Sequence, residues 1–283
     1  MDRTSYPEKN EAHLKVAKAA SLILAAGRGS RMKGYTGNKA LLPLIPGKTP
    51  YEGDLPILLH ILRNLPAGPK GVVVHHRKED VISATSDQDL IYLEQPELNG
   101  TGGALLAAAS FLETQPLNCI IITMGDVPFV TAPTYKSLVQ HLRDHSLVVL
   151  GFAPSQKKQY GVLDIEENRV KRIIEWKYWQ TYPIEKQHAF EICNSGIYAV
   201  RKEDLLHCLP MLASRPHRVL KNVDGKPTEV QEFFITDLVQ YMFHHGLQVG
   251  YALAADEKEV MGIDDLPALL EAQQIFSQQR SHS

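Results

Sequence analysis

The sequence predicts an α/β protein with a mostly parallel central sheet. Two observations carry this. Apolar runs of strand length alternate along the chain with longer segments of helical apolar spacing, the pattern that links parallel strands through crossovers. Residues 22–26 and 118–124 are also almost wholly apolar, as expected of central strands buried on both faces.

The chain of 283 residues is long enough to bury a large core, as one α/β domain or two small ones. Residues 1–19 are read as a polar N-terminal extension, with a short helix over 11–20, and residues 20–280 as one domain. A formal net charge of −2 gives no general attraction for nucleic acid or a membrane surface. Cys119, Cys193 and Cys208 are widely spaced and read as reduced structural thiols, which favours the cytoplasm. No apolar run approaches the ~18 residues of a membrane span, and the N-terminus lacks a secretory apolar core.

In order, the strand at 22–26 breaks into Gly27-Arg28-Gly29-Ser30-Arg31-Met32. Glycines let backbone N–H groups approach an anion, and arginines add forked donors suited to phosphate. The stretch reads as a triphosphate cradle, with a basic surface turn as the alternative. Two look-alikes fail: the third glycine of a dinucleotide fingerprint would fall at Met32, and the first glycine of a Walker A loop at Leu42. A polar loop then delivers Lys39, either to a phosphate or to solvent. Residues 56–65 read as a helix, and 71–75 and 90–94 as strands. Asn99-Gly100-Thr101-Gly102-Gly103-Ala104 opens a helix over 105–112, its glycines permitting close approach of a ligand or another backbone. The strand at 118–124 delivers Gly125 and Asp126 to the sheet edge where open α/β sheets hold ligands, although an acid there can instead cap a helix.

Further strands are read at 146–152, 160–164, 170–175 and 192–200, the second and third as a hairpin. Residues 176–187 form an aromatic loop over a pocket, and the basic stretch 214–227 a mobile insertion. A helix over 233–244, a strand over 249–254 and a helix over 266–280 complete the chain. His75-His76 and His244-His245 have no partner at ligand spacing and read as solvated.

Taken together and in order, these motifs resemble those of the nucleotidyltransferases that make nucleotide sugars. The resemblance is closest to the uridylyltransferase half of bifunctional N-acetylglucosamine-1-phosphate uridylyltransferase/glucosamine-1-phosphate acetyltransferase. It rests on the run from Leu24 to Met32, on Asn38-Lys39 where the family has Pro-Lys, and on Gln95 followed by Gly100-Thr101-Gly102. It continues through Gly125-Asp126-Val127-Pro128, Tyr160-Gly161, Ile174-Glu175, Asn194-Ser195-Gly196-Ile197, Phe234-Ile235-Thr236-Asp237 and Glu259-Val260-Met261-Gly262-Ile263-Asp264. It spans residues from about 20 to about 270.

The resemblance implies a Rossmann-like (GT-A-like) nucleotidyltransferase fold. It implies attack by a sugar-1-phosphate on the α-phosphorus of a nucleoside triphosphate, with Mg²⁺ as cofactor and pyrophosphate as product. Arg31, Lys39 and Asp126 would then be catalytic. Leu24, Ala25, Ala26, Gly27, Arg28, Gly29, Ser30, Gln95, Gly100, Thr101 and Gly125 would bind the nucleotide. Gly161, Glu175, Asn194 and Thr236 would hold the sugar phosphate, and Asp126 and Asp264 the metal. Asp264 is alternatively the cap of the helix near Leu266, with Asp265 open to either role. UTP is the favoured triphosphate, because the Gln95 amide and the glycine-flanked backbone can pair with a uracil edge.

Three departures stand out. No hexapeptide repeat is present, so acetyltransferase activity is expected to be absent. Asn38 replaces proline, and residues 46–56 exceed the corresponding turn. The alternatives are an enzyme that uses GTP, CTP or dTTP and a non-catalytic sugar-nucleotide-binding protein on the same fold. The residues alone agree with the transfer chemistry. A sugar phosphate brings its own nucleophile, so the protein need only neutralise charge and align the reactants.

Overall fold

The computed structural model describes residues 18–29, 31–223 and 226–281. Its strands are β1 (Ala20–Leu24), β2 (Pro43–Pro46), β3 (Gly53–Pro56), β4 (Lys70–Val74), β5 (Ile91–Glu94), β6 (Cys119–Met124), β7 (Leu147–Phe152), β8 (Val162–Glu166), β9 (Arg169–Ile174), β10 (Cys193–Arg201), β11 (His217–Val223), β12 (Lys226–Glu232) and β13 (Val249–Leu253). Its helices are α1 (Ile57–Asn64), α2 (Lys78–Ala84), α3 (Thr101–Ala107), α4 (Ala109–Thr114), α5 (Ala132–His141), α6 (Trp176–Trp179), α7 (Ile184–Ala189), α8 (Lys202–Ser214), α9 (Thr236–His244) and α10 (Leu266–Ser281).

The main sheet runs in the order β13-β7-β10-β6-β1-β4-β5, and β10 also carries the β8–β9 hairpin. All neighbours on this path pair in parallel except β10, which is antiparallel to both β6 and β7. β1 lies at the centre because its side chains alternate between two dry faces. Ala20 and Leu22 enter the core shared with α3, α4, α8 and α9, and Ile23 enters the core shared with α1, α5 and α10. Leu22 and Ile23 are fully buried, so shortening either to alanine should cost about 2–5 kcal/mol.

One register sets the position of the site. Leu24 at the end of β1 pairs with Met124 at the end of β6, and the Gly125 N–H donates to the Leu24 carbonyl at 2.9 Å. The two following loops therefore leave the sheet side by side at its carboxyl edge.

Several expectations change. The part of the 11–20 helix up to residue 17 lies outside the described residues, and Lys18 already bridges to Ala67 ahead of β1. The helix expected over 105–112 starts earlier, at Thr101, and divides into α3 and α4. The 214–227 stretch, read as a mobile insertion, carries regular structure over residues 217–223 and 226–227. It belongs to the β11–β12 hairpin, a two-stranded sheet separate from the main one. The aromatic 176–187 stretch contains α6 and the start of α7 rather than only loop. The long 46–56 segment is the turn and return strand of the β2–β3 hairpin, and α2, α5 and α8 join the predicted helices.

Candidate active site

The loop after β1 borders a cavity of about 360 Å³. Gly29 takes φ +61°, and a Cβ there would lie 2.5 Å from Lys39 Cγ. Glycine at this position thus lets the lysine stem pass under the loop into the cavity. The turn closes through the Met32 N–H to the Gly29 carbonyl at 2.8 Å.

Asn38 aims the lysine. Its side chain is buried, donates to the Ala25 and His76 carbonyls at 2.9 Å each, and accepts from the Ala40 N–H at 2.9 Å. Lys39 Nζ then lies 2.6 Å from Asp126 Oδ2, 2.9 Å from Asp264 Oδ1 and 3.2 Å from the Ile263 carbonyl. Burial disfavours the lysine's charge, but the Asp126 and Asp264 carboxylates outweigh it and raise the Lys39 pKa above its ordinary value. Arg31 Nη2 adds a contact to Asp264 at 3.2 Å, but Arg31 is largely exposed, so this pair contributes little to stability.

The two aspartates are held by separate devices. The Ile263 N–H donates to the Asp126 carbonyl at 2.9 Å, which ties the two acidic segments together. Asp265 caps α10 by accepting from the Ala268 N–H at 3.0 Å, and Asp264 turns to Lys39 and Arg31. Thr131 caps α5, so Asp126 has no capping duty there. Behind Asp264, the buried Glu259 accepts from the Thr131 N–H at 3.1 Å and the Ala255 N–H at 3.2 Å, and also from the Thr134 hydroxyl. This fixes the segment leading to Asp264.

The donor set fits a hard divalent cation. Two carboxylates converge on one point where a lysine ammonium already supplies positive charge. Mg²⁺ is commonly bound by one or two carboxylates, completing its shell with water and phosphate oxygens. Among the described residues no group of three or more His, Cys, Asp or Glu that could hold a metal ion converges.

On the other side of the cavity, Gln95 is buried and its amide nitrogen donates to Asn99 Oδ1 at 2.9 Å and the Gly100 carbonyl at 3.1 Å. Gly100, at φ +94°, turns the chain into α3. The α3 start is clasped by the segment before α9. The Phe233 N–H donates to the Asn99 carbonyl and the Gly102 N–H to the Phe233 carbonyl, both at 2.8 Å, and the Ile235 N–H donates to Thr101 Oγ1 at 3.3 Å.

Glu175, Thr236, Gly161 and Asn194 form a second cluster. Thr236 Oγ1 donates to Glu175 Oε1 at 2.9 Å, and the Asn194 N–H donates to the Gly161 carbonyl at 2.8 Å. A Cβ on Gly161 would meet Glu175 Oε2 at 3.6 Å, so side-chain-free Gly161 borders this carboxylate. Burial pushes the Glu175 carboxyl above the usual glutamate range, against the hydrogen bond from Thr236.

Of the expected nucleotide, phosphate and metal residues, Leu24, Ala25, Ala26, Gly27, Arg28, Gly29, Arg31, Lys39, Gln95, Gly100, Thr101, Gly125, Asp126 and Asp264 all line the one cavity. Ser30 lies outside the described residues. The four expected sugar residues sit apart from that wall, in the cluster around Glu175. The cavity also takes Asn38, which the sequence marked only as a departure from proline, and Leu98, Met124 and Glu232, which it did not mark as site residues. His75 and His76 are not simply solvated: His75 Nδ1 pairs with the Gln95 carbonyl at 2.7 Å and His76 Nε2 with the Thr36 carbonyl at 3.1 Å. His75 thus braces a residue that lines the cavity.

Residues 21–223 match the MobA-like NTP transferase domain. The bifunctional protein GlmU of Novosphingobium aromaticivorans is 31% identical over 267 residues, covering 92% of this chain and 53% of that protein. The Campylobacter lari protein of the same name is 30% identical over 267 residues, covering 92% of this chain and 54% of its own length. The chain thus spans about half the length of the curated relatives it matches. Among solved structures, it is similar to a nucleotidyl transferase from Methanothermobacter thermautotroptrophicus, with a TM-score of 0.59 and 19% identity over 93% of this chain and 99% of that one. A Bacillus anthracis chain assigned as a glucose-1-phosphate thymidylyltransferase gives a TM-score of 0.64 at 19% identity, over 91% of this chain and 95% of that one. Both share its Rossmann-like α/β fold. The domain match spans well over half of the sequence, and the chain belongs to the MobA-like NTP transferase family.

Proposed function

We propose that the protein is a Mg²⁺-dependent sugar-1-phosphate nucleotidyltransferase that favours UTP and takes N-acetylglucosamine-1-phosphate or a related sugar phosphate. A sugar-phosphate oxygen forms a bond to the α-phosphorus, the bond from that phosphorus to the bridging oxygen breaks, and pyrophosphate leaves with the electron pair. No protein nucleophile is needed, so alignment and charge neutralisation supply the catalysis. The observation that carries the reading is the convergence of Lys39, Asp126 and Asp264 beside the glycine–arginine loop.

Lys39 and Arg31 would hold triphosphate oxygens and offset the charge that builds as pyrophosphate departs. Gln95, Gly100 and Thr101 would meet the base. With its NH₂ engaged by Asn99 and Gly100, Gln95 chiefly shapes the backbone edge presented to the base. Glu175, Thr236, Gly161 and Asn194 would meet sugar hydroxyls. Asp126 and Asp264 would hold Mg²⁺, which when bound polarises the α-phosphate and removes the repulsion between the two acids. The match to the MobA-like NTP transferase domain supports transfer from a nucleoside triphosphate. The proposal includes no acetyl transfer by these residues, no nucleic-acid or membrane partner, and a cytoplasmic setting. Among the described residues no helix is long and apolar enough to cross a membrane. The test is pyrophosphate release from purified protein with Mg²⁺, UTP and N-acetylglucosamine-1-phosphate, with omission of either substrate expected to abolish the signal.

A further inference from the structure

The β11–β12 hairpin makes no ladder with the main sheet, yet its first rung reaches both substrate regions. His217 and Glu232 face each other at the base of the ladder. Glu232 lines the nucleotide cavity. His217 Nε2 lies 2.7 Å from Asp237 Oδ2, and its ring lies 4.7 Å from that of Phe234. The Phe234 ring also carries Lys177 Nζ, at 4.9 Å from its centroid. Phe234 and Asp237 bracket Thr236, whose hydroxyl holds Glu175.

We propose that His217 is a positioning residue for the sugar-1-phosphate: by gripping Asp237 and Phe234 it fixes Thr236 against Glu175. This rests on the sugar-1-phosphate reading above. The physical basis is the exposed, marginal nature of an isolated two-stranded hairpin. Contacts at its base therefore help to hold such a hairpin in place. A charge-assisted pair in a half-buried setting, backed by an aromatic ring, is a contact of that kind. Because the Phe233 backbone also holds the α3 start through Asn99 and Gly102, releasing His217 should loosen the Glu175 side more than the base side.

The experiment compares His217→Phe, which keeps a ring against Phe234 and removes the bond to Asp237, with His217→Gln, whose amide can still donate to Asp237. Initial rates are measured while each substrate is varied. In parallel, tryptophan fluorescence is titrated with N-acetylglucosamine-1-phosphate, since both tryptophans, Trp176 and Trp179, follow closely on Glu175. His217→Phe should raise the KM and the fluorescence midpoint for the sugar phosphate about tenfold. The KM for UTP should stay within about twofold, and His217→Gln should recover most of the loss. An unchanged sugar-phosphate midpoint in His217→Phe, or an equal rise in both KM values, would overturn the assignment. If the wild-type protein releases no pyrophosphate with any pair, the transferase reading fails, while the fluorescence titration still decides the role of His217.

Discussion

The ammonium of Lys39 lies 2.6 Å from the Asp126 carboxylate, across 87 positions of sequence. It also reaches Asp264, so one cation bridges the two acids assigned to Mg²⁺. On the proposed reading, the lysine would share or yield these carboxylates when a divalent cation and a triphosphate bind.

Lys39→Ala should therefore have two separable effects. Turnover should fall about 10³-fold, because a positioned cation at developing phosphate charge is lost. In a chelator, the melting temperature should fall as two carboxylates lose their shared partner, and Mg²⁺ should raise it more than in the wild type. Melting curves across a Mg²⁺ titration check this; a normal rate in the variant would leave Lys39 with a structural role alone.

The three neighbouring aspartate side chains should separate cleanly. Asp126→Asn should lose most activity at every Mg²⁺ concentration. Asp264→Asn should lose less and recover partly in excess metal, since an amide oxygen can still ligate. Asp265→Ala should cost about 1 kcal/mol of stability as a lost helix cap, with unchanged metal dependence. Activity titrations with Mg²⁺ alongside thermal melts check all three; Mg²⁺ dependence that moves with Asp265 and not with Asp264 would reverse the assignment.

Asn38→Ala should damage both fold and rate. Its buried amide satisfies the Ala25 and His76 carbonyls, which the variant leaves unpaired, a loss of about 2–3 kcal/mol. Turnover should fall about tenfold as Lys39 loses its fixed base. Urea unfolding and initial rates measure the two effects separately.

The raised pKa of Glu175 gives a pH signature. The folded-state pKa lies above the unfolded value. The ionised carboxyl therefore weighs against folding once the pH rises through the folded pKa, and that penalty is absent below the unfolded one. Glu175→Gln should thus raise the melting temperature at neutral pH, with the gain vanishing in acid. kcat/KM for the sugar phosphate should fall as the wild type is acidified through a midpoint above the ordinary glutamate range, and the variant should lack this limb.

Much of the architecture was legible because its signals are local. The apolar runs of β1 and β6 mark central strands on their own, and Asp126 follows one of them. The β11–β12 hairpin was hidden for the opposite reason: its sequence mixes basic, polar and apolar residues, and no main-sheet face imposes alternation on it. Asn38 reads as a simple substitution for proline until its partners, the Ala25 and His76 carbonyls, are brought to it by the fold. The choice between Asp264 and Asp265 depends on side-chain direction at the start of α10, which residue type does not encode. Gln95, expected at the site, does line the cavity, but its hydrogen bonds to Asn99 and Gly100 give it a bracing role within the chain.

Nucleotidyl transfer to a sugar-1-phosphate is read at its source as pyrophosphate release across a panel. The panel crosses UTP, CTP, dTTP, GTP and ATP with several sugar-1-phosphates, each with Mg²⁺ and with chelator. Release should depend on Mg²⁺, require both substrates, be fastest with UTP and N-acetylglucosamine-1-phosphate or a close relative, and be lost in Asp126→Asn. Tight binding of a nucleotide sugar with no release from any pair would contradict it.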